Sequence, residues 1–266
     1  MTFNTEVLPG GVGAKILPST LNDDLGALSG SMLDAAMRHG YALIQGVALN
    51  KSSFKELIGH MGATADHYFG TGSAELFELN ADPDPGKMVA GRTSLPLHTD
   101  GALVKTHPSY IVLYCHKYDQ PLGSGETQIC DQGLVFKNMP DRLRSLFDVP
   151  WEYMVYDSSH FPTIAGKWIS IDPIIKKNGI PTLNLAMPFK CDEPNPAWSV
   201  RLSNKDASTS AELFSELDGY LRSSDRYYSH RWQTGDLLVI NNSKVMHGRS
   251  AIIGGGERHL FRGQLA

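Results

Sequence analysis

Cysteine is scarce in this 266-residue chain: Cys115, Cys130 and Cys191 are the only three, and no two lie close together. A disulfide framework or a thiolate zinc site needs closely paired thiols, so neither is expected, and the three are read as reduced thiols. Charge of one sign is also lacking. Asp and Glu outnumber Lys and Arg by 28 to 24, for a formal net charge of -4, and no stretch is dominated by either sign. That balance argues against a polyanionic partner such as nucleic acid. No apolar run approaches the roughly 18 to 20 residues that span a bilayer. The opening residues, Met1 to Ser19, lack the basic-then-apolar order of a secretory signal. The expectation is a soluble, cytoplasmic protein that takes a small-molecule substrate, with neither nucleic acid nor membrane as partner. A homo-oligomer stays open, because no heptad or other assembly signal is present.

Hydrophobic residues make up 41% of the chain, enough for one well-buried core. No repeat or low-complexity tract divides it, so residues 1–266 are read as a single domain. Ala14 to Pro18 reads as a short strand. Leu25, Leu28, Met32, Leu33, Ala36 and Met37 recur at helical spacing and predict a helix over Leu25 to His39. Gly40 ends it where a positive φ is wanted. Tyr41 to Gln45 reads as a buried strand, and Ser52 or Ser53 as the cap of a second helix reaching about Met61. From Thr64 to Pro96 the periodicity fails. Asn80 to Gly86 is a turn-forming run, and the whole segment, about 64–96, is expected to be a lid-like loop.

Beyond it lie short runs rich in β-branched and aromatic residues. They span Ser109 to His116, Glu126 to Asp131, Trp151 to Tyr156, Pro181 to Leu185 and Asp236 to Asn241, with one helix over Ser208 to Arg222. Many short strands and a few helices predict a mainly β fold with flanking helices, built on a double-sheet jelly roll.

The most informative tripeptide is His98-Thr99-Asp100. In an extended segment, residues i and i+2 project from one face, so an imidazole and a carboxylate would share one space. A third ligand from elsewhere would complete a two-His-one-carboxylate triad, which holds Fe(II) and leaves positions open for a cosubstrate and O2. Near the C-terminus, Trp232-Gln-Thr-Gly-Asp-Leu-Leu-Val-Ile-Asn-Asn242 feeds an apolar strand, and His247 is placed just beyond its end. Arg258 and Arg262 follow, and either could fork onto a carboxylate.

Together, His98-Thr-Asp100, the Gly123-Ser-Gly-Glu-Thr127 turn, the Trp-x-x-Gly-Asp-Leu strand, His247-Gly-Arg249 and the spaced arginines resemble the taurine dioxygenase (TauD/TfdA-like) family. The likeness covers nearly the whole chain and includes Gly40-Tyr-Ala-Leu-Ile-Gln-Gly46. It implies a double-stranded β-helix (jelly-roll, cupin-like) core and an Fe(II)/2-oxoglutarate-dependent dioxygenase. Such an enzyme would hydroxylate a small amino-acid-like or carboxylate-bearing metabolite with O2, releasing succinate and CO2. The resemblance makes His98, Asp100 and His247 the iron ligands. It gives 2-oxoglutarate to Thr127 and Arg258, and the substrate to Arg262, His67 and Ser94. Asp100 stands where halogenating relatives carry a small residue, which argues against halogenation. The segment from Asp66 to Ser94 departs from the taurine-binding pattern, so no taurine specificity is implied.

Two alternatives stand beside this reading. One is a desaturase or other oxidative tailoring enzyme of the same family, acting for example on an isonitrile-bearing substrate. The other is a non-oxidising metal-binding barrel protein, although the closely spaced histidines and hairpin glutamate usual in sugar-binding cupins do not occur. A surface ion pair with Glu257 or Asp236 competes with the cosubstrate role of Arg258, and Arg249 is read as structural.

Overall fold

The computed structural model describes residues 4–8, 13–17, 24–65, 76–83, 91–104, 106–158, 160–177, 179–193, 195–223 and 225–266. Strands β1 (Asn4–Val7) and β2 (Ala14–Leu17) precede helix α1 (Leu25–His39), strand β3 (Tyr41–Ile44) and helix α2 (Lys51–Met61). Strands β4 (Phe77–Leu79), β5 (Leu95–His98), β6 (Tyr110–Tyr118) and β7 (Thr127–Asp131) follow. Short helices α3 (Gln132–Val135) and α4 (Asp141–Arg144) lead to β8 (Trp151–Val155) and β9 (Trp168–Ile171). A hairpin of β10 (Ile174–Lys177) and β11 (Ile180–Leu183) comes before β12 (Trp198–Leu202) and helix α5 (Ala207–Leu221). The chain closes with β13 (Tyr227–His230), β14 (Leu237–Asn241), β15 (Val245–Arg249) and β16 (Arg258–Leu265).

The larger sheet has seven strands in the order β1-β2-β3-β14-β6-β16-β4, and a second has four, β13-β7-β15-β5. Alternation along the central strands explains how the larger sheet is covered on both faces. Tyr41, Leu43, Ile111, Leu113, Leu238 and Ile240 belong to one buried cluster, together with Leu97, Ile129 and Met246 of the smaller sheet. Their sequence neighbours Ala42, Ile44, Val112, Tyr114, Leu237 and Val239 belong to another, with Leu28, Met32, Phe54 and Leu57 of α1 and α2. A strand packed on both faces reads as an unbroken apolar run, and β14 has that character from Leu237 to Ile240, with its last residue, Asn241, also buried.

Helix α1 occupies the predicted span, with Asp24 as its N-cap and Gly40 at φ +86° after its end. The cap of α2 differs from expectation. Asn50 caps it, and Ser53 is the return partner whose hydroxyl accepts from the Asn50 N–H in a capping box. The segment expected as one lid-like loop, about 64–96, is crossed by strands at both described ends: β4 pairs with β16, and β5 pairs with β15. Strand β4 has only three residues and sits last in its sheet, too short for alternation to announce it. His247 follows the end of β14 as expected and lies within a further strand, β15, and β16 runs through both spaced arginines. Among the described residues, no helix is long and apolar enough to cross a membrane.

Candidate metal centre

Strand pairing brings the two histidines together. In the β5–β15 ladder, His98 lies directly opposite His247. Opposed residues project from one face with their Cβ atoms close, and the imidazole centroids are 4.4 Å apart. Gly248 permits this approach, because a Cβ there would stand 2.7 Å from the Leu95 carbonyl oxygen. His98 Nδ1 lies 2.8 Å from the Pro96 carbonyl. The carbonyl can only accept, so Nδ1 carries the proton and Nε2 presents a lone pair, the arrangement by which backbone carbonyls orient ligating histidines.

Asp100 follows in a tight turn. Gly101, at φ +90°, allows that turn, and a Cβ on it would meet the Thr106 carbonyl at 2.3 Å. Asn242, just beyond β14, clasps the backbone here. Its Oδ1 accepts from Asp100 N–H at 2.9 Å, and its Nδ2 donates to the Asp100 and Pro108 carbonyls, each at 2.9 Å. Asp100 Oδ1 then stands 3.4 Å from His98 Nε2 and 3.7 Å from His247 Nε2. Its other oxygen, Oδ2, accepts from Arg262 Nη2. One donor atom from each of His98, Asp100 and His247 lies within 4.8 Å of the others, and all three residues are buried.

Electrostatics set the protonation states. Burial alone would raise the Asp100 carboxyl, but Arg262 and the two imidazoles outweigh it and hold the group well below the usual carboxylate range. Burial and the neighbouring His98 push His247 down to about 3, against the pull of Asp100. A neutral imidazole beside an ionised carboxylate is the donor state that metal ions require.

The second group of predicted residues lies around β7, β15 and β16. Arg258 is buried, donates from Nε to the Gly125 carbonyl at 3.1 Å, and has an Nη1 with no partner among the described residues. Gly125 is at φ +67°, and a Cβ on it would reach to 2.9 Å from Arg258 Cδ. The proposed surface partners of Arg258 are engaged by others: Glu257 pairs with Lys117, and buried Asp236 accepts from Gln233 N–H at 2.8 Å and Gln45 Nε2 at 3.3 Å. Thr127 lies opposite Arg249 across β7 and β15, and its Oγ1 accepts from Trp232 Nε1 at 3.0 Å. Arg249 donates to the Thr93 carbonyl at 2.7 Å, in keeping with a structural part. Burial lowers both guanidiniums, Arg258 to about 10 and Arg249, with Arg258 beside it, to about 9. Two buried cations near an uncommitted donor suit an anionic ligand.

Arg262 is thus engaged with Asp100. Ser94 is half-buried on the approach to β5, and His67 lies outside the described residues. Sequence reasoning missed Asn242. Its only signal was an amide at the end of the apolar run Leu237 to Ile240, second of the pair Asn241-Asn242, and its contacts lie 134 and 142 positions away.

Comparison with known proteins follows the same lines. The family model described as "Taurine catabolism dioxygenase TauD, TfdA family" matches residues 4–264. The chain is 26% identical over 199 residues to 3-((Z)-2-isocyanoethenyl)-1H-indole synthase of Fischerella ambigua, covering 73% of this chain and 70% of that protein. It is 25% identical over 192 residues to tyrosine isonitrile desaturase of Erwinia amylovora, covering 70% of this chain but only 64% of that one. Among solved structures, PvcB of Pseudomonas aeruginosa superposes with a TM-score of 0.74 at 20% identity, covering 97% of this chain and 87% of PvcB.

Proposed function

This chain belongs to the TauD, TfdA family of dioxygenases, and we propose that it oxidises a small organic metabolite with Fe(II), 2-oxoglutarate and O2, bound by the residues described above. In this reading residues 1–266 form one oxygenase domain, and the two larger sheets are the walls of a double-stranded β-helix (jelly roll). The observation that carries the proposal is the convergence of His98, Asp100 and His247 within 4.8 Å in a buried site. Two imidazole nitrogens and one carboxylate oxygen fit Fe(II) in the facial arrangement that leaves room for a chelating keto acid and O2. Bound there, iron with its cosubstrates supplies the oxidising power for attack on a C–H bond, with succinate and CO2 as by-products.

The chain's own contribution is positional and electrostatic. The Pro96 carbonyl holds His98 Nδ1–H, so Nε2 faces the ligand set. Asn242 fixes the backbone of Asp100, and Arg262 occupies Oδ2, leaving Oδ1 to the metal. Arg258, with Nε tied to Gly125 and Nη1 uncommitted, takes the distal carboxylate of 2-oxoglutarate. Thr127 offers its hydroxyl to the same cosubstrate. Burial of all three metal ligands excludes water from the reacting centre and strengthens these interactions.

A specific observation favours desaturation as the second reading. Two similar curated proteins are named for making or desaturating isonitriles. Hydroxylation and desaturation need the same ligand set, so the choice lies with the substrate. Anaerobic titration with Fe(II) and then 2-oxoglutarate tests the core of the proposal: a weak visible charge-transfer band is expected, and its absence at saturating keto acid overturns it. A succinate-release screen over aromatic isonitriles, amino acids, sulfonates and aryl carboxylates, with product masses read for a gain of oxygen or a loss of hydrogen, separates the two outcomes.

A further inference from the structure

The Trp-x-x-Gly-Asp-Leu run supplies none of the metal ligands and neither buried arginine. Its tryptophan nevertheless reaches the same interior. Trp232 is buried, and its one polar atom is obliged by burial to find a partner. Indole Nε1 donates to Thr127 Oγ1 at 3.0 Å, across 105 positions of sequence. The His230 ring packs edge-on against the indole, with centroids 4.7 Å apart. His230 in turn lies directly opposite Thr127 in the β13–β7 ladder.

The rest of the run holds the indole in place. Asp236, bonded to Gln233 N–H and to Gln45 Nε2, closes the turn that follows Trp232. The backbone of that turn is tied on two sides. Gly235 N–H donates to the Cys115 carbonyl at 2.9 Å, and Cys115 N–H donates to the Asp236 carbonyl at 2.8 Å. Val47 N–H donates to the Gly235 carbonyl at 2.8 Å. Trp232 therefore leaves a turn anchored both to β6 and to the segment after β3. A donor on so firm a base can fix the orientation of its acceptor.

A threonine hydroxyl has one hydrogen to give and two lone pairs to receive with, and its hydrogen rotates to suit. An indole N–H only donates. Trp232 therefore takes a lone pair of Oγ1 and turns the Thr127 hydrogen away from itself, toward a second acceptor. Two cations mark where an anion would lie. Arg249 stands opposite Thr127 across β7 and β15, and Arg258 is bonded through Nε to the Gly125 carbonyl, two residues before Thr127. A hydroxyl that already accepts a hydrogen bond is polarised and gives its own hydrogen more strongly. We infer that Trp232 is a positioning residue for the cosubstrate: its indole N–H orients the Thr127 hydroxyl to donate to the distal carboxylate of 2-oxoglutarate. The inference rests on the oxygenase reading, which puts that carboxylate at Arg258.

The test is a double-mutant cycle on the full chain loaded with Fe(II), with 2-oxoglutarate affinity read anaerobically through the visible band. Thr127→Val, which keeps the shape and deletes the hydroxyl, should raise the Kd about tenfold or more. Trp232→Phe, which keeps an aromatic ring and deletes the N–H, should raise it about three- to tenfold in the parent and less than about twofold beside Thr127→Val. An equal loss in both backgrounds makes Trp232 a packing residue and overturns the inference. A second measurement leaves position 232 intact, should Trp232→Phe fail to fold. Among the four indole N–H signals of the Zn(II) protein, the one that Thr127→Val displaces most is that of Trp232. It should move downfield when 2-oxoglutarate binds, and a signal that stays in place with the keto acid bound overturns the inference. A parent protein that binds no 2-oxoglutarate refutes the oxygenase reading and this inference with it, so the parent titration tells the two failures apart.

Discussion

Replacing Arg258 by Met isolates the proposed cosubstrate anchor, because the change keeps most of the side-chain volume and removes the guanidinium. Nε is already committed to the Gly125 carbonyl at 3.1 Å, so Nη1 is the donor left for a ligand. One charge-assisted hydrogen bond contributes about 1.5–3 kcal/mol, and each ~1.4 kcal/mol is tenfold in affinity. Arg258→Met should therefore raise the Kd for 2-oxoglutarate about 10- to 100-fold. Arg258→Lys should fall between, since an ammonium cannot fork onto a carboxylate. Stability should change little, because the lost Nε–Gly125 bond is offset by removal of a buried charge. Burial lowers this guanidinium to about 10, so the charge is held in the protein at a cost that methionine does not incur. The assay is anaerobic titration of the Fe(II) protein with 2-oxoglutarate, followed through the visible band, with metal affinity measured in parallel. A Kd within threefold of the parent, or an equal loss of metal affinity, refutes the reasoning.

Asp100→Ala should abolish succinate release and weaken metal binding, and it removes the buried carboxylate that pairs with Arg262, a loss of about 3–5 kcal/mol; full activity would remove the ligand assignment. Asn242→Ala deletes three hydrogen bonds of 2.9 Å around the Asp100 turn. Urea melts should show a loss of about 3 kcal/mol, with weaker metal uptake; a stability loss with unchanged metal affinity would reduce Asn242 to a fold residue. Thiol labelling probes the cysteines: Cys115 and Cys130 are buried, with burial pushing each thiol up to about 12, whereas Cys191 is exposed. One equivalent of a disulfide reagent should react with the native protein and three after denaturation, and rapid labelling of a second native thiol would contradict the packing.

Some of this was legible from residue order. Helix α1 was read to its last residue because apolar spacing and Gly40 after it agree, and the Asp24 cap, seen only in the structure, points the same way. The apolar run of β14 carried its own assignment. Strands β15 and β16 did not, because their inward faces hold His247, Arg249, Arg258 and Arg262. Buried polar residues break the alternation by which strands are recognised. The triad was within reach because its residues have metal-binding character of their own. Asn242 has none, and only the fold shows that its amide meets Asp100. The part played by Arg262 was also hidden, since spacing gave it a place near the site but not the carboxylate it would hold.

In the proposed iron site, histidines that face each other across the β5–β15 ladder would tie ion capture to strand alignment. A slip of one position along β5 would turn His98 away and bring Leu97 to the same place, because alternate side chains occupy opposite faces. A misaligned molecule would then offer the ion one imidazole in place of two. Metal stoichiometry in a freshly refolded sample accordingly counts the molecules whose strands have zipped correctly, and added ion draws the rest toward that alignment.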